Sequence, residues 1–157
     1  MGDEVWYATI VGVIVLSGLS IFYILYLAKM RRTKTNAAWK QAATELGLDF
    51  TPVTRIFGKY RMSGVIGKQL SCSVWAYTEP NGQGGYTTFM NYDVRFSQPL
   101  NKVKELLTPN IQSKLLEVNN VLKKVVVSDD SINSIRVSGF IRKSEILIQN
   151  VKLLIQL

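Results

Sequence analysis

One long apolar stretch dominates the N-terminal part of the chain. Residues 5–28, from Val5 to Ala28, form a run of 24 positions without a charged side chain, and 13 of them are Val, Ile, Leu or Phe. A helix of this length rises about 36 Å at ~1.5 Å per residue, and the hydrocarbon core of a bilayer is ~30 Å thick. The pattern therefore predicts a transmembrane helix over residues 5–28.

The charges on either side of this stretch predict its orientation. Residues 1–4 form a short acidic N-terminus, and the apolar run is followed at once by a basic segment that we interpret as a juxtamembrane linker over residues 29–35. Cytoplasmic flanks of membrane helices carry an excess of Lys and Arg. We therefore expect a single-pass protein of the cell membrane with its N-terminus outside. The side chains predicted to lie at the cytoplasmic membrane surface are Lys29, Arg31, Arg32 and Lys34.

A cleaved signal peptide and a buried core helix are the alternatives to a membrane anchor. A signal peptide has a basic start, a shorter apolar core and a small-residue cleavage site. Here the start is acidic, the core is longer, and the basic flank comes after it. A core helix of this length would be unusual in so small a protein. A transmembrane helix agrees best with these features.

After the linker, residues 36–157 predict one cytoplasmic α+β domain. Thr35 or Asn36 can cap a short helix over Ala37–Leu46, and Gly47 is suited to end it. The apolar side chains of this segment recur at helical spacing, which gives it one hydrophobic face. They are Trp39, Ala42, Ala43 and Leu46.

Alternating polar and apolar residues then predict strands. Three of these strands are Tyr60–Val65, Lys68–Thr78 and Tyr86–Phe96, and the last two are joined by a glycine-rich hairpin loop over Glu79–Gly85. In the second strand one alternating set is apolar and predicted to face the core. This set is Leu70, Cys72, Val74 and Ala76.

The C-terminal third predicts further helices around a second hairpin. Helices are expected at Pro99–Leu107, from Pro109 onward, and at Ser144–Leu157. Two strands, Leu122–Val127 and Ser131–Val137, flank a turn at Asp129-Asp130. The predicted fold class is therefore α+β, with an N-terminal transmembrane helix, antiparallel strands in two hairpin regions, and about four helices in the domain.

Four stretches of the domain carry a resemblance to known proteins. They are the helix exit Trp-Lys-Gln-Ala-Ala-Thr-Glu-Leu-Gly-Leu-Asp-Phe from Trp39, Tyr-Arg-Met-Ser-Gly-Val-Ile-Gly over residues 60–67, Tyr-Thr-Thr from Tyr86, and Leu-Thr-Pro-Asn-Ile-Gln-Ser-Lys-Leu-Leu from Leu107. In this order they resemble a loose group of prokaryotic single-pass, membrane-anchored α+β domains of uncharacterised function. The resemblance implies a prokaryotic membrane protein, and it implies no active site.

The composition of the chain limits the kinds of binding and catalysis that its domain can carry out. Residues 36–157 carry 15 basic and 9 acidic side chains, and such a surface attracts anionic lipid headgroups and nucleic acid. The tether makes lipid the nearer of the two, so we disfavour nucleic acid as a partner. The chain contains no histidine, which removes the usual general base and imidazole metal ligands. Its one cysteine, Cys72, cannot form an intrachain disulfide and is predicted to be a buried, inert thiol.

Two groups of side chains are candidates for binding. Arg55, Lys59 and Arg61 alternate with other residues along a segment predicted to be extended, and they could contact an anionic surface or form a solvated face. A second group falls on the strand faces opposite the predicted core, where it forms either a partner surface or a second core beneath covering helices. This second group is Trp75, Tyr77 and Phe89.

No motif predicts a catalytic residue, a cofactor or a metal site. The loop Asn81–Gly85 lacks the Lys-Ser/Thr and the following helix of a phosphate-binding loop, and the carboxylates show no spacing that indicates paired acid–base work. We therefore predict a membrane-tethered, non-catalytic interaction or accessory module that scaffolds or assists a membrane-associated complex with an unknown protein partner. The alternatives are a histidine-free enzyme of the membrane surface, or a basic domain that binds lipid or nucleic acid.

Overall fold

The computed structural model describes residues 2–55, 58–67, 70–97, 109, 113–114, 122–136 and 139–155. The chain divides into two compact units, residues 1–34 and residues 35–157. Its elements, in order, are α1 (Gly2–Leu46), β1 (Asp49–Phe50), β2 (Arg61–Ile66), β3 (Leu70–Pro80), β4 (Tyr86–Phe96), β5 (Leu122–Val127), β6 (Ser131–Arg136) and α2 (Ser144–Ile155).

The strands form one antiparallel sheet of six strands in the order β1-β2-β3-β4-β6-β5. The strands β3 and β4 make its long central hairpin, in which Tyr77 lies directly opposite Phe89. The strands β5 and β6 form the second hairpin, and β6 rather than β5 pairs with β4. The α+β fold class, the two hairpin regions and their strands are therefore confirmed.

One face of the sheet carries the hydrophobic core of the second unit. Alternate residues of β3 and β4 point into this core, as the apolar periodicity predicts, and so do residues at helical spacing on α2 and at the end of α1. Burying each large apolar side chain contributes about 1.5–3 kcal/mol. The buried residues include Cys72, Val74, Ala76, Met90, Tyr92, Val94, Leu147, Val151 and Leu154, together with Trp39, Ala42, Ala43 and Leu46.

Trp39 lies at the centre of an aromatic cluster within this core. Its ring stacks on Phe140 with centroids 5.8 Å apart, and the rings of Tyr60 and Phe50 lie 5.4 and 5.9 Å away. The indole N–H of this fully buried residue donates to the carbonyl oxygen of Ile141 at 3.1 Å. The cluster thus ties the end of α1 to the segment that precedes α2.

The core also contains one buried polar pair. Asn150 on α2 donates through Nδ2 to the hydroxyl oxygen of Tyr92 on β4 at 2.8 Å, and both residues are almost completely buried. Buried polar groups need such partners, because an unpaired one costs about 1–3 kcal/mol. The hydrogen bond therefore fixes α2 against the middle of the sheet.

The start of the predicted helix Ala37–Leu46 is wrong. No new helix begins at Thr35 or Asn36, since both residues lie inside α1, which ends near the predicted Gly47. Residues 29–36 contain no Pro or Gly that would interrupt a helix. The Asn36 amide does not cap a helix but bonds both backbone groups of Val53, accepting from its N–H at 3.1 Å and donating to its carbonyl oxygen at 2.9 Å.

The number of helices also differs from the prediction of about four. Two helices, α1 and α2, have their bounds within the described residues. The predicted helices at Pro99–Leu107 and from Pro109 onward lie outside the described residues, apart from the helical positions 109, 113 and 114. The predicted helix Ser144–Leu157 corresponds to α2.

Candidate functional site

The apolar part of α1 is exposed along almost its whole length. All residues between Val5 and Ala28 except Gly12 and Leu27 are exposed, and even the aromatic side chains of Trp6 and Phe22 are 70% and 71% exposed. The helix is long and apolar enough to cross a membrane, a property that membrane anchors share with signal sequences. Water is a poor solvent for such a surface, because exposed apolar area costs about 25 cal/mol per Å².

The basic segment that follows is helical. Lys29, Arg31 and Lys34 are exposed on α1, and Arg32 is half-buried. Thr33 bonds back to the carbonyl oxygen of Lys29 at 3.0 Å, as hydroxyl side chains do within helices. Four cationic side chains therefore lie within two helical turns of the end of the apolar segment.

The face of the sheet opposite the two helices is called the outer face here. It carries the odd-numbered residues of β3 and β4, among them the three predicted partner-surface residues. Trp75 and Tyr77 are half-buried, whereas Phe89 is only 7% exposed. The rings of Tyr77 and Phe89 stack across the strands with centroids 5.4 Å apart. Burial, and then the nearby Glu79 carboxylate, raise the pKa of Tyr77.

Arg61 and Asn91 complete the row of the outer face that contains Trp75. Arg61 lies opposite Trp75 on β2, with its guanidinium carbon 6.0 Å from the ring centroid, which is the geometry of a cation–π contact. Asn91 lies opposite Trp75 on β4 and is 5% exposed. Its Oδ1 has no hydrogen-bond partner among the residues that the structure describes, so within them it is a buried, unsatisfied acceptor.

The other end of the outer face is polar. Ser71 and Arg95 are exposed, and Ser73 and Asp93 are half-buried. Arg95 donates through Nε to a carboxylate oxygen of Asp93 at 3.1 Å. An exposed ion pair of this kind contributes about 0–1 kcal/mol. The outer face is thus aromatic near the loop between β3 and β4 and hydrophilic at its opposite end.

The three predicted anionic-surface residues are all exposed, but they do not share a strand. The N–H of Gly58 donates to the carbonyl oxygen of Arg55 at 3.2 Å, and β2 begins only at Arg61. Lys59 lies between Gly58 and the strand. No ion pair joins any of the three cations to another described residue. The prediction places all three cations on one extended segment, but among the described residues Arg55 and Lys59 lie outside β2 and only Arg61 lies in it.

The glycine-rich loop is organised by its own asparagine. Asn81 Oδ1 accepts from the N–H groups of Gln83 at 3.3 Å and Gly85 at 2.7 Å. Gly84 has a φ of 79°, a conformation that favours glycine. The glycines of this loop therefore allow a tight hairpin connection between β3 and β4.

Cys72 is buried beneath the sheet, as predicted. Burial, and then the Asp93 carboxylate, raise the pKa of its thiol from 9.0 to about 12. A thiol in this state is a poor nucleophile, since the thiolate is the reactive form. Among the described residues, no three His, Cys, Asp or Glu side chains lie close enough together to hold a metal ion.

Comparison with known proteins does not assign the chain to a family. No protein-family model matches the chain, and no curated protein and no solved structure is significantly similar to it. The group resemblance carried by the four sequence stretches therefore stays a prediction. The features of the chain that bear on its function are the exposed apolar helix and the outer face of the sheet.

Two features of the outer face are not predicted from sequence. They are the contact of Arg61, a predicted anionic-surface residue, with the indole of Trp75, and the buried side chain of Asn91. Both gain their role from strand register, because Arg61, Trp75 and Asn91 come together only when β2, β3 and β4 are aligned. The long loop between β3 and β4 leaves the alignment of Asn91 with Trp75 undetermined in the sequence.

Proposed function

We propose that this chain is a membrane-tethered, non-catalytic interaction or accessory module of a prokaryotic cell membrane. In this proposal α1 crosses the bilayer once through residues 5–28, with the N-terminus outside. Residues 36–157 form a cytoplasmic domain that binds a protein of a membrane-associated complex. Tethering raises the concentration of the domain near other membrane components without any new contact.

The exposure of the apolar part of α1 is the observation that carries this proposal. A helix without a charged side chain over 24 positions, with side chains such as Phe22 71% exposed, needs a nonpolar environment. The apolar run begins after acidic residues and ends at Lys29, which supports a cytoplasmic C-terminal side over a cleaved signal sequence.

The aromatic half of the outer face is the proposed partner surface. Trp75 and Tyr77 are half-buried aromatic side chains, the type most enriched at protein interfaces. The exposed guanidinium of Arg61 beside Trp75 adds a charge-assisted donor. These groups together support a protein ligand.

Site-specific photo-crosslinking in native membranes tests the partner surface. A photo-reactive amino acid replaces Tyr77 in the full chain, and the control carries it in place of Lys40, an exposed residue of α1. We expect one discrete protein adduct from position 77, no such adduct from position 40, and loss of the adduct when Trp75→Ala is added. Equal adduct patterns from both positions, or none from position 77, would contradict the proposal.

A second candidate function is contact with anionic lipid headgroups. It is favoured by the exposure of Arg55, Lys59 and Arg61, none of which is ion-paired to another described residue. A cation held near an anionic membrane surface gains about 1 kcal/mol. This function is compatible with the tether, and it needs no partner protein.

Vesicle capture distinguishes lipid contact from general charge. The full chain is inserted into neutral nanodiscs, and vesicles of phosphatidylserine or phosphatidylcholine are added. Replacing Arg55, Lys59 and Arg61 by Glu should abolish capture of the phosphatidylserine vesicles. The matched control replaces three other exposed cations, Lys40, Arg142 and Lys143, and should retain most of the capture. Equal losses in both variants would show that only net charge matters.

A further inference from the structure

The strand β5 forms one edge of the sheet. It is the last strand in the order, and no described strand pairs with its outer side. It is six residues long and contains no proline, its register against β6 shifts between Leu122 and Lys124, and its last three residues are valines. The opposite edge is a two-residue strand, β1, which is followed closely by Pro52. Natural proteins shorten or interrupt edges in the manner of β1 because long free edges pair with other chains.

The hydrogen-bond pattern of the second hairpin shows which backbone groups of β5 point outward. The N–H of Ser128 donates to the carbonyl oxygen of Ser131 at 2.7 Å, so these two residues form a hydrogen-bonded pair. Hydrogen-bonded and non-hydrogen-bonded pairs alternate along an antiparallel ladder. Val127 and Val125 therefore turn their N–H and C=O groups away from β6.

Opposite charges lie at the two ends of this edge strand in the sequence. Lys123 and Lys124 occupy the start of β5, and Asp129 and Asp130 follow its end, with three valines and Ser128 between them. A strand with cations at one end and anions at the other is complementary to an antiparallel copy of itself. A parallel copy would bring like charges together, which is unfavourable.

We propose that β5 pairs antiparallel with β5 of a second copy of this chain, so that one sheet continues across two molecules. In the proposed register Val126 lies opposite Val126 of the second copy, at the two-fold axis. Val125 then lies opposite Val127 of the second copy as a hydrogen-bonded pair, which uses the outward backbone groups of both. The same register brings the end of each strand that carries the lysines in sequence to the end of the other strand that carries the aspartates.

Disulfide crosslinking at the two-fold position tests the pairing. Val126→Cys is introduced into the full chain in membranes, in a Cys72→Ala background, and mild oxidant is added. Directly opposite, non-hydrogen-bonded residues have Cα atoms about 4.5 Å apart, which suits a disulfide. The control is Val65→Cys on the same face of the sheet. Val65 is 61% exposed and Val126 is 39% exposed, so simple accessibility favours the control.

The expected result is a covalent dimer from Val126→Cys at least tenfold more abundant than from Val65→Cys. Its absence, or equal crosslinking of both variants, would overturn the proposal. The register has its own test, because Lys124 should lie opposite Ser128 of the second copy. A mixture of Lys124→Cys and Ser128→Cys chains should then crosslink, and each variant alone should not, since equivalent positions lie about 13 Å apart at ~3.3 Å per residue.

Reversing the charges distinguishes this pairing from the alternative that the lysines protect the edge strand against pairing. Lysines on an edge strand also act simply to discourage pairing. Under the present proposal, Lys123→Glu with Lys124→Glu should reduce the Val126→Cys dimer several-fold, and adding Asp129→Lys with Asp130→Lys should restore it. An unchanged or increased dimer after the first reversal would contradict the charge-selected register, even in a chain that binds its protein partner normally.

Discussion

At the scale of single residues, buried polar groups hold this domain in one arrangement. The Asn150–Tyr92 hydrogen bond joins α2 to the sheet, and the indole of Trp39 joins α1 to Ile141. The side chain of Asn36 likewise joins α1 to the backbone of Val53. Each of these bonds links residues that are far apart in sequence, so each one becomes visible only in the folded domain.

Removing the Tyr92 hydroxyl should destabilise the domain. Tyr92→Phe leaves the Nδ2 of Asn150, which is completely buried, without this acceptor, and we expect a loss of about 1–3 kcal/mol in the free energy of unfolding. Denaturant unfolding of the full chain in detergent, followed by tryptophan fluorescence, measures the loss. Tyr23→Phe on the exposed part of α1 is the control and should change nothing. Equal stabilities of the Tyr92→Phe and wild-type chains would contradict a structural role for this bond.

The Cys72 thiol should make stability fall at alkaline pH. The unfolded thiol ionises around pH 9, whereas the folded one keeps its proton to about pH 12, so rising pH favours the unfolded state across that interval. Between about pH 8 and about pH 10 this amounts to roughly 1 kcal/mol. The unfolding free energy of the wild-type chain should therefore fall by that much more than that of Cys72→Ala. Parallel pH curves for the two chains would contradict the raised pKa.

At the scale of elements, alternation and local turn signals were sufficient where the structure depends on near neighbours. The bounds of β4 and the position of the second hairpin follow from such patterns, and so does the Gly47 end of α1. The start of a helix at Asn36 was predicted wrongly because its side chain has a distant partner, Val53, instead of the local backbone. The outer-face row of Arg61, Trp75 and Asn91 needed strand register, which a long hairpin loop leaves undetermined.

The connection between β1 and β2 should be sensitive to a single added methyl group. A Cβ at Gly58 would overlap Cγ1 of the buried Val53 and lie 3.3 Å from the carbonyl oxygen of Arg55. Gly58→Ala must therefore displace this connection, and we expect a loss of about 1–3 kcal/mol in the free energy of unfolding. Gly82→Ala is the matched control, because its Cβ would meet nothing within 4 Å. If both variants unfold at the same denaturant concentration, the close packing at Gly58 is wrong.

At the scale of the whole molecule, an exposed apolar helix is followed by an α+β unit in which the described part of α1 after residue 34 and α2 pack on the same face of the sheet. The fold class could be predicted from sequence because apolar periodicity is a local property. The partner surface could not be settled in the same way, since Phe89 is buried while Trp75 and Tyr77 remain half-buried. In the proposed function, the apolar helix holds the domain, and with it the outer face of the sheet, at a membrane.

Cysteine labelling in spheroplasts tests the proposed tether most directly. A membrane-impermeant maleimide is applied to two variants in a Cys72→Ala background, Asp3→Cys before the apolar run and Val65→Cys in the domain, where Val65 is 61% exposed. We expect Asp3→Cys to be labelled in intact spheroplasts, and Val65→Cys to be labelled only after the membrane is permeabilised. Labelling of Val65→Cys in intact spheroplasts would contradict a cytoplasmic domain held by a single membrane-spanning helix.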